Sequence, residues 1–469
     1  MQHINPLQGT ATEIIGMIRR SEVTAADMVR LSLAAIEAIN PRVNAVTDLT
    51  AERAVAEATA IDEAHARGEP LPPLAGVPYG VKNLFDIDGL PTRAGARINA
   101  GSPAATADAA LIARMKAAGA LLVGALAMDE YATGFTGTNV HGDVCRNPHD
   151  LARMAGGSSS GPAAAVAAGL MPVALGSDTN GSIRVPASFC GLFGLKPTFG
   201  RMSRAGAFPC AASLDHVGPL ARSAEDLALL HDVLAGHDPA DPASARRTVQ
   251  PVLPDLGKGA AGLRLAIAGD WFRNNAGPEA VAAVEMVARV LGITREVSLP
   301  EVARARAAAD LISSSERAAL HLERLQTRAA EFAPETRERM LAGALLPAAW
   351  VNRAQRFRAW FRQAVQELFE TVDVLIAPAT PFSAPALGQT TVTVNGREMP
   401  VRPAIGLHTQ PLSFIGLPVV AVPLWPDGAD MPIAVQVIAA PWREDLALRV
   451  AHELERCGAA RAPIALIPG

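Results

Sequence analysis

Two glycine- and serine-rich runs decide the fold of this chain: Gly156-Gly157-Ser158-Ser159-Ser160-Gly161, and Gly176-Ser177-Asp178-Thr179-Asn180-Gly181-Ser182-Ile183-Arg184. An apolar stretch over 162–168 lies between them and predicts a helix. Small, flexible residues and several hydroxyl groups are thereby brought toward one place. Taken alone, such runs are typical of a linker or a tight turn. A phosphate-binding loop is a second interpretation, but the Gly-Lys-Ser/Thr ending of that motif is missing.

Around these runs, short apolar segments alternate with helical patterns from about residue 77 to about residue 235. Such alternation predicts an α/β core with a mixed or parallel sheet. Residues 301–370 are arginine-rich and helical, which indicates an insertion that forms a cap or a dimerisation layer. Apolar segments typical of strands return after it and continue to about residue 438. We therefore predict an α/β fold in which a large mixed β-sheet is sandwiched between α-helices, as one domain over 1–469.

Local signals place several elements. Thr24 and Asp27 form a variant capping box at a helix start, and Asn40-Pro41 is expected to end that helix. The polar stretch 51–66 predicts a second helix. Asn395-Gly396, between residues of alternating polarity, predicts the turn of a hairpin.

Composition excludes several classes of function. Lys and Arg number 42 against 46 Asp and Glu, and the resulting net charge of −4 gives no electrostatic reason to expect nucleic acid or an anionic membrane as partner. Four scattered cysteines indicate neither a disulfide framework nor a zinc site. The N-terminus shows no signal-peptide pattern, and no apolar run reaches transmembrane length. We predict a cytoplasmic protein.

The region from Gly156 through Ser182 to Gly194-Leu195-Lys196-Pro197-Thr198 resembles the amidase signature family, with 80–200 as its signature core. The resemblance is long and ordered, and it covers nearly the whole chain. It implies a serine amidohydrolase in which Ser182 is the nucleophile and Ser158 a bridging serine on a cis peptide. Lys82, in Gly80-Val81-Lys82-Asn83, falls on the family's general base. The family uses neither a metal nor an organic cofactor, and we predict none here.

The chemistry of these residue types is coherent. A serine hydroxyl is a poor nucleophile until a base takes its proton, and a lysine takes a proton only when it is neutral. Lys82 must therefore be buried enough to lower its pKa. A surface lysine is the alternative, against which its apolar neighbours Val81 and Leu84 argue.

The residues around Ser182 have expected roles of their own. Thr179, Asn180, Gly181 and Ser182 match the family's oxyanion hole, which stabilises the tetrahedral intermediate with backbone N–H groups. The family commonly has glycine at the position of Asn180, whose side chain is expected to add a substrate contact. Asp178 and Arg184 are expected to brace the loop.

Within the family, the chain resembles the 1-carboxybiuret hydrolases of cyanuric acid breakdown, which release ammonia from small, planar, urea-like molecules. One departure is His141-Gly142-Asp143-Val144-Cys145. In this region the sequences of the 1-carboxybiuret hydrolases resemble Tyr-Gly-Pro instead. A carboxylate at Asp143 would repel an anionic substrate and favour a cation such as guanylurea. An exposed loop acid is the alternative. We predict guanylurea or a similar cationic acylurea, contacted by Asp143, Tyr131 and Asn180, with 1-carboxybiuret as the alternative.

Two further classes stay open. The family includes the glutaminase subunit of tRNA-dependent amidotransferases, which channels ammonia to a partner. A catalytically silent scaffold is the third interpretation, although Lys82, Ser158 and Ser182 are all present. The resemblance also implies a homodimer, to which a small helical partner chain is a possible addition.

Overall fold

The computed structural model describes residues 5–467. The strands in this part of the chain are β1 Val46–Leu49, β2 Pro78–Lys82, β3 Leu121–Leu126, β4 Arg146–Asn147, β5 Asp150–Met154, β6 Val173–Asp178, β7 Phe193–Lys196, β8 His216–Ala221, β9 Leu265–Ala268, β10 Glu296–Val297, β11 Val374–Pro378, β12 Thr391–Val394, β13 Arg397–Pro400, β14 Val419–Leu424 and β15 Ile433–Ala439.

The α-helices alternate with these strands through most of the sequence. They are α1 Ala11–Arg19, α2 Ala25–Val43, α3 Ala51–Ala66, α4 Ala110–Ala117, α5 Ser160–Ala167, α6 Arg184–Cys190, α7 Ala224–Leu234, α8 Trp271–Asn274, α9 Pro278–Leu291, α10 Val302–Thr327, α11 Pro334–Ala344, α12 Ala348–Leu368, α13 Val401–Ile405, α14 Gln410–Phe414 and α15 Glu444–Arg456.

Eleven strands form one mixed sheet in the order β1-β3-β2-β6-β8-β7-β14-β15-β11-β9-β10. Strands β3, β2 and β6 run parallel to one another, as do β11, β9 and β10, whereas the strands between these groups pair antiparallel. The predicted α/β class with a large mixed sheet is confirmed.

The sheet is buried on both faces, because neighbouring residues of a strand belong to different apolar clusters. In β3, Leu121 and Val123 pack in a cluster with α5, whereas Leu122 packs in the cluster that includes α4 and α7. Successive side chains of a strand point to opposite faces. Helices on both sides therefore exclude water from the sheet, and side chains at its strand ends lie in a low-dielectric interior.

The capping box predicted at the start of α2 is present, since Thr24 and Asp27 exchange both hydrogen bonds. The predicted end of that helix at Asn40-Pro41 is wrong. Helix α2 continues through Pro41 to Val43 and ends at Asn44, which has the left-handed φ of 52°. Pro41 has no N–H to donate to the Glu37 carbonyl, so the helix loses one hydrogen bond there. Beyond the helix, the Asn40 Oδ1 accepts from the backbone N–H groups of Ala45 and Val46 at 2.8 Å.

Helices α10, α11 and α12 occupy most of the segment predicted to be a helical insertion. The predicted hairpin is also present, with β12 and β13 joined through Asn395 and Gly396. None of the helices in the described chain is both long and apolar enough to span a membrane.

Candidate functional site

Lys82 and Ser177 meet because their strands are parallel neighbours in the sheet. Lys82 is the last residue of β2, and Ser177 lies near the end of β6. The carboxyl ends of parallel strands lie at the same edge of a sheet. The Lys82 Nζ donates to the Ser177 Oγ at 2.8 Å and to the Ser158 Oγ at 2.7 Å. One ammonium thus joins two hydroxyl groups from two different segments.

Ser158 lies in the loop that leads into α5, and its peptide bond with Gly157 is cis. The next residue ties this loop to the second glycine- and serine-rich run, since the Ser159 N–H donates to the Ser182 carbonyl at 3.3 Å. Ser158 and Ser182 are both buried. The fold therefore assembles Lys82, Ser158 and Ser182 at one edge of the sheet.

Lys82 is completely buried. Burial lowers its pKa to about 8, with the negative charge of Asp129 as the largest opposing influence. Asp129 is itself buried, and burial raises its pKa to about 6 against the attraction of Arg402 and Lys82. The Asp129 Oδ1 has no hydrogen-bond partner in the described chain. With this pKa roughly a tenth of the lysine is neutral at pH 7 and more above it, which makes the neutral form that a general base requires accessible.

The loop from Thr179 to Ser182 presents backbone donors. Within residues 5–467, the N–H groups of Asn180, Gly181 and Ser182 donate to no protein acceptor. Gly181 has a φ of +144°, and an added Cβ would lie 2.2 Å from the Thr409 Oγ1. The same Thr409 hydroxyl donates to the Asn180 carbonyl at 2.7 Å. Thr409 therefore fixes the loop, and its free N–H groups are available to an oxyanion.

The Asn180 side chain lies between this loop and the helical insertion. Its Nδ2 is 3.4 Å from the Ser313 Oγ of α10, whereas its Oδ1 is buried and has no partner in the described chain. A buried acceptor without a donor is costly unless a ligand completes it. Asn180 is thus placed to accept a hydrogen bond from a substrate N–H.

Asp178 and Arg184 form an ion pair with both side chains fully buried. The Arg184 Nε and Nη2 donate to the two Asp178 carboxylate oxygens at 2.9 and 3.0 Å. Burial alone would raise the pKa of Asp178, but the Arg184 guanidinium outweighs it and holds that pKa well below its usual range. Asp178 also accepts from the Ile183 N–H at 3.2 Å, and Arg184 donates to Gln436 at 2.6 Å. The pair therefore ties the loop around Ser182 to β15.

Two predicted substrate contacts, Asp143 and Tyr131, form no hydrogen bond with Ser158 or Ser182 within residues 5–467. Asp143 is exposed and lines a surface depression with Arg93 and Arg97, a depression that neither Ser158 nor Ser182 lines. The loop of Asp143 is held near the start of β1, since the Asn44 Nδ2 donates to the carbonyl of the neighbouring Val144 at 3.1 Å.

Tyr131 is buried among aromatic side chains, with its ring centroid 4.2 Å from that of His321. Its hydroxyl is 3.3 Å from the Asn99 Oδ1 and 3.4 Å from the Arg324 Nη1. These protein contacts occupy the phenol, and no hydrogen bond joins it to Ser158 or Ser182.

Sequence reasoning missed several residues of the site. Ser177 stood inside the second serine-rich run and could have been found as the polar end of a buried strand beside Lys82. Asp129 gave a similar signal, an acidic residue shortly after the buried strand β3. Ser313 and Thr409 are more than 100 residues from Ser182 and carry no local signal. Within residues 5–467, no group of three or more His, Cys, Asp or Glu side chains is placed to hold a metal.

Comparison with known proteins gives consistent similarities. The sequence model of the Amidase family matches residues 27–448. AtzE of Pseudomonas sp. (strain ADP), a 1-carboxybiuret hydrolase subunit, is 55% identical over 450 residues, which cover 96% of this chain and 98% of that protein. A glutamyl-tRNA(Gln) amidotransferase subunit of Anaeromyxobacter sp. (strain K) is 39% identical, over 92% of this chain and 93% of that one.

Solved structures give the same pattern. An inhibitor-bound s-triazine catabolic enzyme, described as part of a vestigial protein complex, superposes with a TM-score of 0.96 at 54% identity, covering 97% of this chain and all of that one. A glutamyl-tRNA(Gln) amidotransferase subunit of Thermotoga maritima superposes with a TM-score of 0.83 at 26% identity, covering both chains completely.

Proposed function

This chain belongs to the Amidase family, whose members hydrolyse amide C–N bonds, and we propose that it does so through Ser182, Ser158 and Lys82. The hydrogen bond from the Lys82 Nζ to the Ser158 Oγ is the observation that carries this proposal. It connects the buried Lys82 amine, whose pKa is lowered, to Ser158, and the next residue, Ser159, hydrogen-bonds to the carbonyl of Ser182.

The reaction follows from this arrangement. Neutral Lys82 takes the Ser158 proton as Ser158 takes that of Ser182, and the Ser182 Oγ bonds to the substrate carbonyl carbon. The N–H groups of the 179–182 loop stabilise the oxyanion. On collapse the C–N bond breaks, and the proton returns through Ser158 to the leaving nitrogen, which departs as ammonia. Water then attacks the acyl-enzyme with the same proton transfers, releasing the acid and restoring Ser182.

We propose that the substrate is a small acylurea carrying a carboxylate, of the 1-carboxybiuret type. Positively charged side chains near Asn180 support a substrate that carries a carboxylate. The Arg317 Nη2 is 3.3 Å from the same Ser313 Oγ that Asn180 contacts. The pKa of Arg339 is lowered, first by the surrounding protein and then by the charge of Arg317, so these two guanidinium groups lie within electrostatic range of each other.

Neither Arg317 nor Arg339 forms an ion pair with a carboxylate in the described chain, although the nearby Arg402 pairs with Glu335. The charges of Asp310 and Glu335 act on Arg339 without reaching ion-pair distance. Two neighbouring guanidinium groups with no carboxylate in direct contact favour an anionic ligand. The 55% identity to a protein named as a 1-carboxybiuret hydrolase subunit supports the same class.

We rank guanylurea second, because its case depended on a carboxylate next to the serines, whereas Asp143 is exposed and lines a depression that includes neither Ser158 nor Ser182. A glutaminase role is disfavoured by the lower identity to amidotransferase subunits, 39% against 55%. Ammonia release by the purified chain from 1-carboxybiuret, biuret, guanylurea and glutamine tests these alternatives together. Release from glutamine alone, or only in the presence of an amidotransferase partner, would contradict the proposal.

Assembly is a separate proposal. Segment 301–370 exposes large apolar side chains, a pattern typical of a protein contact surface: Leu320, Leu322, Leu341, Leu345, Trp350 and Trp360. We propose that this surface forms a homodimer, to which a small helical partner chain can add. We also propose that the protein is cytoplasmic. Light scattering on wild-type and Leu345→Glu protein tests the surface. A monomeric wild type would contradict the homodimer.

A further inference from the structure

A cavity of about 150 Å³ ends on the Ser177 side chain that holds Lys82. Its inner wall includes the buried residues Cys210 and His216 and the carboxylate of Asp215. Its outer wall consists of exposed residues, namely Pro209, Ala212, Ala240 and Pro242, so that the cavity opens to solvent. Ser158, Asn180 and Ser182 do not line it. Ser177 is thus reached from outside without passing the two serines.

The Ser177 hydroxyl has a proton to donate into this cavity. Its oxygen accepts from the Lys82 ammonium at 2.8 Å, and the hydroxyl donates to no acceptor in the described chain. The Asp215 carboxylate lines the same cavity.

Lys82 needs a route to solvent. It is fully buried, and its Nζ donates to Ser158 and Ser177 among the described residues. The titratable groups whose charges act on it are Asp129, Cys210, Asp178 and Asp215. Ser158 is itself fully buried and lies beside the Ser182 loop, to which the Ser159 N–H donates. A resting Lys82 that carries a proton must nevertheless lose it before it can act as a base.

We propose that Ser177 and this cavity form the path by which Lys82 exchanges its proton with bulk water. A proton passes from the Lys82 Nζ to the Ser177 Oγ as the Ser177 hydroxyl proton passes to a solvent molecule in the cavity, which leaves a neutral amine and a hydronium or protonated buffer. The reverse steps recharge Lys82. This inference rests on the proposed role of Lys82 as general base, but its exchange path is measurable without turnover.

The test uses the rarity of lysine, which occurs at Lys82, Lys116, Lys196 and Lys258 alone. Selective 15N labelling of lysine gives four side-chain signals, and loss of one in Lys82→Met identifies Lys82. The rate at which the Lys82 Nζ hydrogens exchange with deuterated solvent is then compared between variants. Ala212→Trp obstructs the mouth of the cavity, and Ala261→Trp, at an exposed alanine outside it, is the matched control.

Exchange should slow in Ala212→Trp and in Ser177→Ala, and stay at the wild-type rate in Ala261→Trp and in Ser177→Thr, which keeps a hydroxyl. The Lys82 pKa should also fall by roughly one unit in Ser177→Ala, since a hydrogen bond to the charged form is lost. Thermal unfolding of each variant checks its fold. Equal exchange rates in all four variants would overturn the proposed path. Loss of the proposed function would appear differently, as ammonia release that does not require Lys82.

Discussion

The Nζ of Lys82 lies 2.7 Å from the Oγ of Ser158, and this contact joins the end of strand β2 to the loop before helix α5. Both residues are fully buried, so that the hydrogen bond forms in a low-dielectric interior. No histidine within residues 5–467 hydrogen-bonds to either side chain. The contact gives the chain a base for serine chemistry whose strength depends on burial.

Replacing the nucleophile or the base should stop turnover. Ser182→Ala removes the attacking oxygen and should abolish ammonia release. Lys82→Met should lower kcat by at least about a hundredfold, the range of a lost general base. Lys82→Arg should be as inactive, because a guanidinium stays charged. Stopped assays of ammonia release measure all three, and a Lys82→Arg enzyme with near-wild-type kcat would rule Lys82 out as the base.

The pH dependence of kcat/KM should report Lys82. Since burial lowers its pKa to about 8 and the neutral form is the active one, kcat/KM should rise with pH through about 8 and level off above it. Asp129 raises the Lys82 pKa by its charge, so Asp129→Asn should move this midpoint to lower pH.

Asp143→Asn is the control for this shift, because Asp143 is exposed outside the site and should leave the midpoint unchanged. Equal midpoints in wild type and Asp129→Asn would contradict the predicted coupling.

Asn180 should set affinity for the urea-like substrate. Its Oδ1 is a buried acceptor without a partner in the described chain, and Asn180→Ala should lower kcat/KM about tenfold, the cost of one lost hydrogen bond. Ser313→Ala, which removes the contact of Nδ2 and keeps the acceptor, should have a smaller effect. Steady-state kinetics on both variants decide between a substrate contact and a purely structural role, for which the two losses would be similar.

Arg317 and Arg339 should select a carboxylate. Arg339→Gln and Arg317→Gln should raise KM for 1-carboxybiuret by about tenfold or more, as expected for a lost charge-assisted hydrogen bond, and change KM for neutral biuret much less. Asp143→Asn should leave both substrates unaffected. If the two arginine variants raise both KM values equally, the arginines do not distinguish charge.

The buried pair under the nucleophile loop should matter for stability. Arg184→Met leaves the Asp178 carboxylate without its partner and should lower the free energy of unfolding by about 3–5 kcal/mol. Arg20→Met, whose ion pair with Glu22 lies on the surface, should change it little. Chemical denaturation measures both free energies of unfolding. Equal values for the two variants would show that the buried ion pair makes no net contribution to stability.

Much of the fold could be predicted because its signals are local. The helix at Ala51–Ala66 has the predicted bounds, and Gly68 follows its end. The mixed sheet followed from alternating apolar and helical segments. Pro41 misled because a proline in the last turn removes one helical hydrogen bond only, and the helix still continues to Val43 before Asn44 ends it in the left-handed region.

The site could be predicted only where its residues share a motif. Lys82, Ser158 and Ser182 come together through the parallel pairing of β2 and β6. The sequence pattern predicted a mixed or parallel sheet, in which such pairing occurs. The position of Asp143 depends on a contact between distant segments, from the Asn44 side chain to the Val144 carbonyl, and no local sequence pattern predicts such a contact. Ser313 and Thr409 reach the site from distant segments through tertiary packing.

The most direct measurement is the initial rate of ammonia release from 1-carboxybiuret and from guanylurea by the same purified enzyme, with Ser182→Ala as the blank. We predict release from 1-carboxybiuret with the higher kcat/KM, and none from either substrate in Ser182→Ala. Faster release from guanylurea, or release that persists in Ser182→Ala, would contradict the proposed substrate or the proposed nucleophile, respectively.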